Sequence, residues 1–476
     1  MTSVRAAPPA KVSVLTLSEF VVGSMVGAGV FSLPSSFAAS TGVAGALIAW
    51  AIAGTGMLTL ALTFRMLAER KPDLDAGIYS YARAGFGNYL GFFAAFGYWA
   101  SACVGNVFYW VFIMQTLGAF FPGLGRGNTV LAVAASSIGL WLFYLLIRRG
   151  VREAAAVNRV VSYAKTIPIL VFVALCVTVF DPAVFAANWS GGAGAPPLFE
   201  QVRATMLVTV FGFIGVEGAS ANSRHARSRR DVGRATVFGF LSVLAVFASV
   251  TIVSYGILPR EQIAALDQPS MGGVLTAVVG PWGAVFVAVA LIVAILGAYL
   301  AWTLMAAEVL LMAARSGDLP APLGRTNSQD TPTGALLLST LLVQVLLVVV
   351  LFSRNAFDVA LELTSALVLI PFLLSALYAL KISVTGDGFA SGARRAPSLV
   401  LTAAAVIYTA FLLIAAGADY ILLALLILAP GTVLFIAARR RQGLRVFTPV
   451  EAVLFGVAAA GAITAATLIA TGTITF

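Results

Sequence analysis

The sequence predicts an all-α polytopic membrane protein with 12–13 transmembrane helices, and three observations predict it. Hydrophobic residues make up 60% of the 476 and charged residues only 10%, for a mean hydropathy of +0.99. Soluble domains carry about 25% charged residues, so this chain cannot clothe itself in a water-facing surface and must use lipid as its solvent. The apolar residues also fall into runs close to the roughly 20-residue length that crosses a bilayer as a helix. Finally, the 29 Lys and Arg residues collect between those runs on alternate sides.

Thirteen runs are read, at 13–37, 43–64, 91–121, 128–147, 159–180, 202–222, 235–257, 281–313, 334–353, 358–381, 398–416, 419–438 and 449–470. The last thins into Thr, Gly and Ala toward its C-terminal half. With the N-terminus inside, 24 of the 29 basic residues fall on inner segments. Three, Arg126, Arg260 and Arg354, fall on outer loops, and only Lys165 and Arg203 fall within runs. Such a bias is the positive-inside rule, and one misplaced run would have reversed it downstream. The net charge of +10 is therefore topological, and nucleic acid is excluded as a partner. The expected placement is multi-pass in the cell inner membrane, with a cytoplasmic N-terminus and the lipid bilayer as partner. No cleavable signal is expected, because the first run starts near Ser13 and is long enough to span.

Cys103 and Cys176 lie inside apolar runs and imply no disulfide framework. His225, the single histidine, sits among arginines, and a zinc site needs three or four ligands. Neither a metal nor a cofactor is expected. The absence of clustered His, a paired acid and base, or an exposed nucleophile argues against an enzyme.

Two runs are interrupted. The first carries Gly23-Ser24-Met25-Val26-Gly27-Ala28-Gly29 at its middle, and the sixth carries Gly212-Phe213-Ile214-Gly215-Val216-Glu217-Gly218. Three glycines in seven residues weaken a helix. Small residues also serve close helix packing, so either interruption alone is ambiguous. Their positions say more. The two runs are five apart and so cross in opposite directions, as the matching helices of an inverted repeat would. Paired Gly-interrupted helices in two halves point to a binding site near the bilayer midplane, where opened backbone is tolerated because it lines a cavity.

Four stretches carry a family resemblance. Val22 to Pro34 (VGSMVGAGVFSLP) resembles the first-helix signature of the amino acid–polyamine–organocation superfamily. With Leu74 to Ala82 (LDAGIYSYA), Phe213 to Ala219 (FIGVEGA) and Gly297 to Thr303 (GAYLAWT), the chain resembles the basic amino acid/polyamine antiporter family, and its arginine:ornithine antiporter branch above all. The likeness runs from about residue 13 to 440. It implies a leucine-transporter-type 5+5 inverted repeat with broken helices 1 and 6, working by alternating access. On that scheme 1–12 is a cytoplasmic N-terminus, 13–180 the first repeat, 202–381 the second, and 398–476 a set of peripheral helices. The resembled family is often dimeric, which leaves a homodimer open.

A cationic amino acid at the membrane centre sets three demands. Its carboxylate needs donors, which the half-helix after the first break offers as free N–H groups and a positive dipole end. Ser24, Met25, Gly27, Ala28 and Gly29 would supply mainly backbone there. Its ammonium needs acceptors, which unwound carbonyls near Gly23 and from Phe211 to Ile214 can provide. Its side chain needs a counter-charge or aromatic faces. Glu217 is a carboxylate beside the second break, costly in lipid and hence a functional candidate; in the resembled family this position bears on substrate binding and conformational change. Phe211, Trp302 and Tyr98 are the aromatic candidates, with packing as the alternative role of each. An arginine:agmatine relative is similar but carries Trp where Phe211 stands, and the weaker face of Phe leaves the side chain recognised open. Asn106 matches an asparagine that contacts the guanidinium in that relative. Glu19, Glu308 and Glu362 lie near helix ends and read as structural.

Lys165 lies roughly 9 Å into the fifth run at 1.5 Å per residue. It can snorkel to the inner interface. The resemblance implies another role, an ammonium that replaces a coupling sodium ion and bridges carbonyls around Ala28 and Gly29. Together these readings describe an antiporter for small cationic amino acids, arginine for ornithine first. A proton-coupled amino acid symporter, an exchanger for lysine or histidine and their decarboxylated amines, and a transporter-like sensor are the alternatives.

Overall fold

A computed structural model describes residues 14, 18, 22–23, 25–74, 77–150, 154–192, 194–217, 229–389 and 394–474, with side chains outside 154–162 and 229–233. Ser24, Glu19, His225 and the stretch from Gly218 to Ser228 lie outside the described residues. Every regular element among the described residues is helical. A 3₁₀ turn at Ala28–Ser32 leads into α1 (Leu33–Ser40), followed by α2 (Val43–Arg70), the short α3 (Ile78–Phe86), α4 (Asn88–Gly118), α5 (Val130–Arg148) and α6 (Ala154–Thr178). Next come α7 (Pro182–Ala187), α8 (Leu198–Phe213), α9 (Arg229–Ser254), α10 (Arg260–Ala264), α11 (Ser270–Val279) and α12 (Trp282–Arg315). The chain closes with α13 (Thr333–Val350), α14 (Ala356–Thr385), α15 (Ala396–Arg441) and α16 (Pro449–Ala470).

Among the described residues, nine helices are long and apolar enough to cross a membrane. The longest, α15, has 46 residues and contains Gly417 at φ 76, which no α-helix admits. It is two spans hinged at that glycine, where the sequence separates runs 398–416 and 419–438. The start of α16 is fixed by a capping box in which Thr448 and Glu451 satisfy each other's backbone N–H, with Pro449 at the first helical position. The short α3, α10 and α11 are not among the runs read from hydropathy, because each is too brief to register as a span.

Contacts between helix ends sort into two sets. At one end Lys71 pairs with Asp387, Arg83 with Asp318, Lys381 Nζ donates to the Gly85 carbonyl, and Gln442 donates to that of Gly317. At the other, Asn128 donates to Ser353, and Arg260 donates to Ala38, Ala39 and Gly191. The first set holds the ends that the charge pattern assigns to the basic face, and the second holds Arg126, Arg260 and Arg354. In the middle, α4 is buried along most of its length, packed between α12 and α14. That central helix and the two breaks beside it position the site.

Candidate functional site

At the first break the helix ends with the Val26 N–H donating to the Val22 carbonyl at 2.8 Å. Gly27 is extended, at φ −109 and ψ −163, so it cannot give the next helical bond to Gly23. The freed Gly23 carbonyl is taken instead by Lys165 Nζ at 2.6 Å. Lys165 is buried on α6, and no carboxylate pairs with it among the described residues. Sequence reasoning placed this ammonium near Ala28 and Gly29; it sits on the other side of the break, because that is where a carbonyl has lost its helical donor.

Helical geometry resumes at Ala28, and the first N–H groups of a helix have no acceptor within it. Ser32 Oγ donates to the Gly29 carbonyl at 2.8 Å, and Ser270 ties this half-helix to α11 through Ser32 and Ser35.

The second break follows α8. The helix stops at Phe213, and Gly215 adopts φ 105, a backbone that favours glycine. This turn folds the Glu217 carboxylate back onto the Gly215 N–H at 3.2 Å, and the Tyr98 hydroxyl donates to its other oxygen. Tyr98 in turn lies 6.4 Å from Trp302, ring centre to ring centre. Glu217 is thus linked through Tyr98 to the aromatic wall contributed by α12.

The two breaks face one cavity of about 480 Å³ of non-atom space, part of it open to the exterior. Of the residues singled out by sequence, Met25, Gly27, Gly29, Phe211, Ile214 and Trp302 line it. Phe211 packs so closely on Gly29 that a Cβ there would meet its ring at 2.8 Å, so a larger residue would have to displace that ring. Phe108 backs Phe211 at 4.6 Å between ring centres. Ala28 is buried beside the cavity, while Tyr98, Asn106 and Glu217 stand behind its lining. Asn106 donates to Thr303 at 3.1 Å, and its amide oxygen has no partner among the described residues.

Sequence reasoning missed Tyr109, Ser101 and Thr364, which also line the cavity. Ser101 Oγ is committed to the Thr364 carbonyl at 2.8 Å. Tyr109 lies one helical turn beyond Asn106, and that spacing was the available signal. None of the described lining groups is charged. A cation here would be held by aromatic faces and by carbonyls at the breaks, and an anion by N–H and O–H donors.

The profile of the amino acid permease family matches residues 12–438. The chain is 44% identical to an arginine/ornithine antiporter of Pseudomonas aeruginosa, over 94% of this chain and 95% of that protein. It is 40% identical to a putative arginine/ornithine antiporter of Escherichia coli, over 90% and 92%. It is 37% identical to an arginine/agmatine antiporter of Chlamydia pneumoniae, over 90% of each.

Proposed function

The chain belongs to the amino acid permease family of the amino acid–polyamine–organocation superfamily, and from that premise we propose that it exchanges cationic amino acids across a cell membrane, arginine for ornithine first among them. The observation that carries this reading is the shared cavity at the two helix breaks, uncharged in its described lining and walled by Phe211 and Trp302. Donors at the start of the second half of helix 1 suit a carboxylate. The Trp302 face suits a cation, with Phe211 as a weaker second face. Opposed breaks in runs five apart support a 5+5 inverted repeat that rocks about this point. The concentration of 24 basic residues on one set of segments supports a cytoplasmic N-terminus in an inner membrane. On this reading the protein is a carrier and not an enzyme.

One observation favours a second reading. Glu217 is a titratable group at the break that follows α8, and a proton on it would serve a symport cycle. Counterflow in proteoliposomes separates the two. Vesicles preloaded with ornithine are expected to accumulate labelled arginine, with leucine and glutamate competing poorly. Uptake into empty vesicles driven by a pH gradient would favour symport. Competition by leucine as strong as that by arginine would defeat the cationic assignment.

A further inference from the structure

Tyr109 shares the cavity with Gly27, Gly29, Phe211 and Trp302, yet the reading above gives it no task. It is 6% exposed, and its hydroxyl comes within 3.7 Å of the point a Cβ on Gly27 would occupy. No hydrogen-bond partner holds that hydroxyl among the described residues. A buried polar group aimed at a cavity is ordinarily satisfied by what the cavity holds.

Gly27 begins the second half of the broken helix. The 3₁₀ turn Ala28–Ser32 passes without interruption into α1, Leu33–Ser40, so the run beginning here is five residues followed by eight. Its leading N–H groups point into the break, where the end of the helix dipole favours negative charge. Two independent sets of donors therefore converge on one place, the N–H groups from helix 1 and the Tyr109 O–H from α4. A carboxylate has two oxygens and about four acceptor sites, enough to bridge both.

We propose that the Tyr109 hydroxyl determines specificity by donating a hydrogen bond to the substrate's α-carboxylate across the Gly27 break, so that the site selects amino acids over the decarboxylated amines that share their cationic end. The inference rests on the cationic amino acid reading and says which members of that class are taken. An amine such as agmatine brings a hydrogen where arginine brings the carboxylate. Both donor sets then lose their acceptor, and a site built around a hydrogen bond rejects the analogue that lacks it.

Tyr109→Phe tests this, because it removes one oxygen and keeps the ring. Proteoliposomes loaded with ornithine are assayed for uptake of arginine and of agmatine, and then of ornithine and of putrescine, a pair with the same carboxylate difference but no guanidinium. The KM for both amino acids is expected to rise about tenfold to a hundredfold, the range for a charge-assisted bond, with the maximal rate retained. The KM for both amines should stay within about twofold, so preference for the amino acid collapses in each pair. An unchanged preference in the variant overturns the proposal. An equal loss for amino acids and amines overturns it too, since Tyr109 would then only pack. A shift confined to the arginine pair would place the hydroxyl at the guanidinium and also overturn it. A parental protein that carries neither arginine nor ornithine would defeat the functional reading itself, and this inference with it.

Discussion

Lys165 is a cation inside the membrane that meets a backbone carbonyl where a counter-ion would be expected. The reason is local. Once Gly27 turns extended, the Gly23 carbonyl has lost its N–H partner one turn on, and the lysine ammonium supplies the missing donor at 2.6 Å. A charge-assisted hydrogen bond in a water-poor setting contributes about 1.5–3 kcal/mol, and an unpaired carbonyl left behind costs about 1–3 kcal/mol. Those magnitudes suffice to hold or release the broken end of helix 1. Lys165→Ala is therefore expected to lose most exchange while still reaching the membrane. If the tethered ammonium does the work of a coupling ion, the parental protein should transport equally well when sodium is replaced by potassium or choline. Full activity in the Ala variant would return Lys165 to a bystander's role, and strict sodium dependence would end the idea.

At the scale of elements, α3 shows how a segment outside the membrane holds the helices that form the site. It packs on α4 and α14 and reaches the turn that follows α12, the helix that carries Trp302. Asp318, 1% exposed, accepts from the Tyr79 hydroxyl at 2.7 Å and pairs with Arg83 at 3.3 Å. Burial pushes the Asp318 carboxyl above its ordinary value of 3.8, while the Tyr79 hydrogen bond and then the Arg83 charge pull it back. The fold thus favours the protonated acid. Its contribution to stability is fully present below 3.8 and is lost as pH rises through the raised folded value. Melting curves of the purified protein and of Asp318→Asn, taken across that range, should diverge with the variant gaining relative to the parent as pH rises. A constant offset between the two curves would show that Asp318 does not titrate on unfolding.

The same elements show what the sequence could and could not disclose. Hydropathy separated the runs on either side of Gly417, because a span needs its full length of apolar residues and little else. The two breaks were readable for a related reason, since three glycines in seven residues stand out against leucine and valine. Tyr109 was readable only through its spacing from Asn106, not from composition. It lies in Val107 to Ile113, where every residue is apolar or aromatic and every one is buried. Composition there cannot say which side chain faces a cavity; the rotation of α4 against its neighbours decides that. Lys165 was noticed as a charge within a run, but its partner depended on which carbonyl the break would free.

For the whole molecule, the proposed cycle makes a statement about charge. Arginine and ornithine each carry one net positive charge at neutral pH, so exchanging them moves none across the bilayer. A membrane potential contributes about 2.3 kcal/mol per charge per 100 mV. A cycle that moved one charge would shift its final distribution about fiftyfold at 100 mV, since each 1.4 kcal/mol is a factor of ten. Arginine taken against agmatine, which carries two charges, would be such a cycle, and uptake of arginine with a proton would move two charges and shift the distribution further. Proteoliposomes loaded with ornithine and clamped by a potassium gradient with valinomycin distinguish these cases. The arginine distribution at equilibrium should be the same at zero and at 100 mV of either sign. A shift approaching fiftyfold would mean that the protein moves charge, and would exclude one-for-one exchange of two monovalent cations as its cycle. A null result has force only if the vesicles hold their potential, which an electrogenic carrier reconstituted alongside would report. Rejection of amines at Tyr109 and silence toward the potential are then linked, since a site that refuses the doubly charged amine confines the protein to partners whose exchange carries no current.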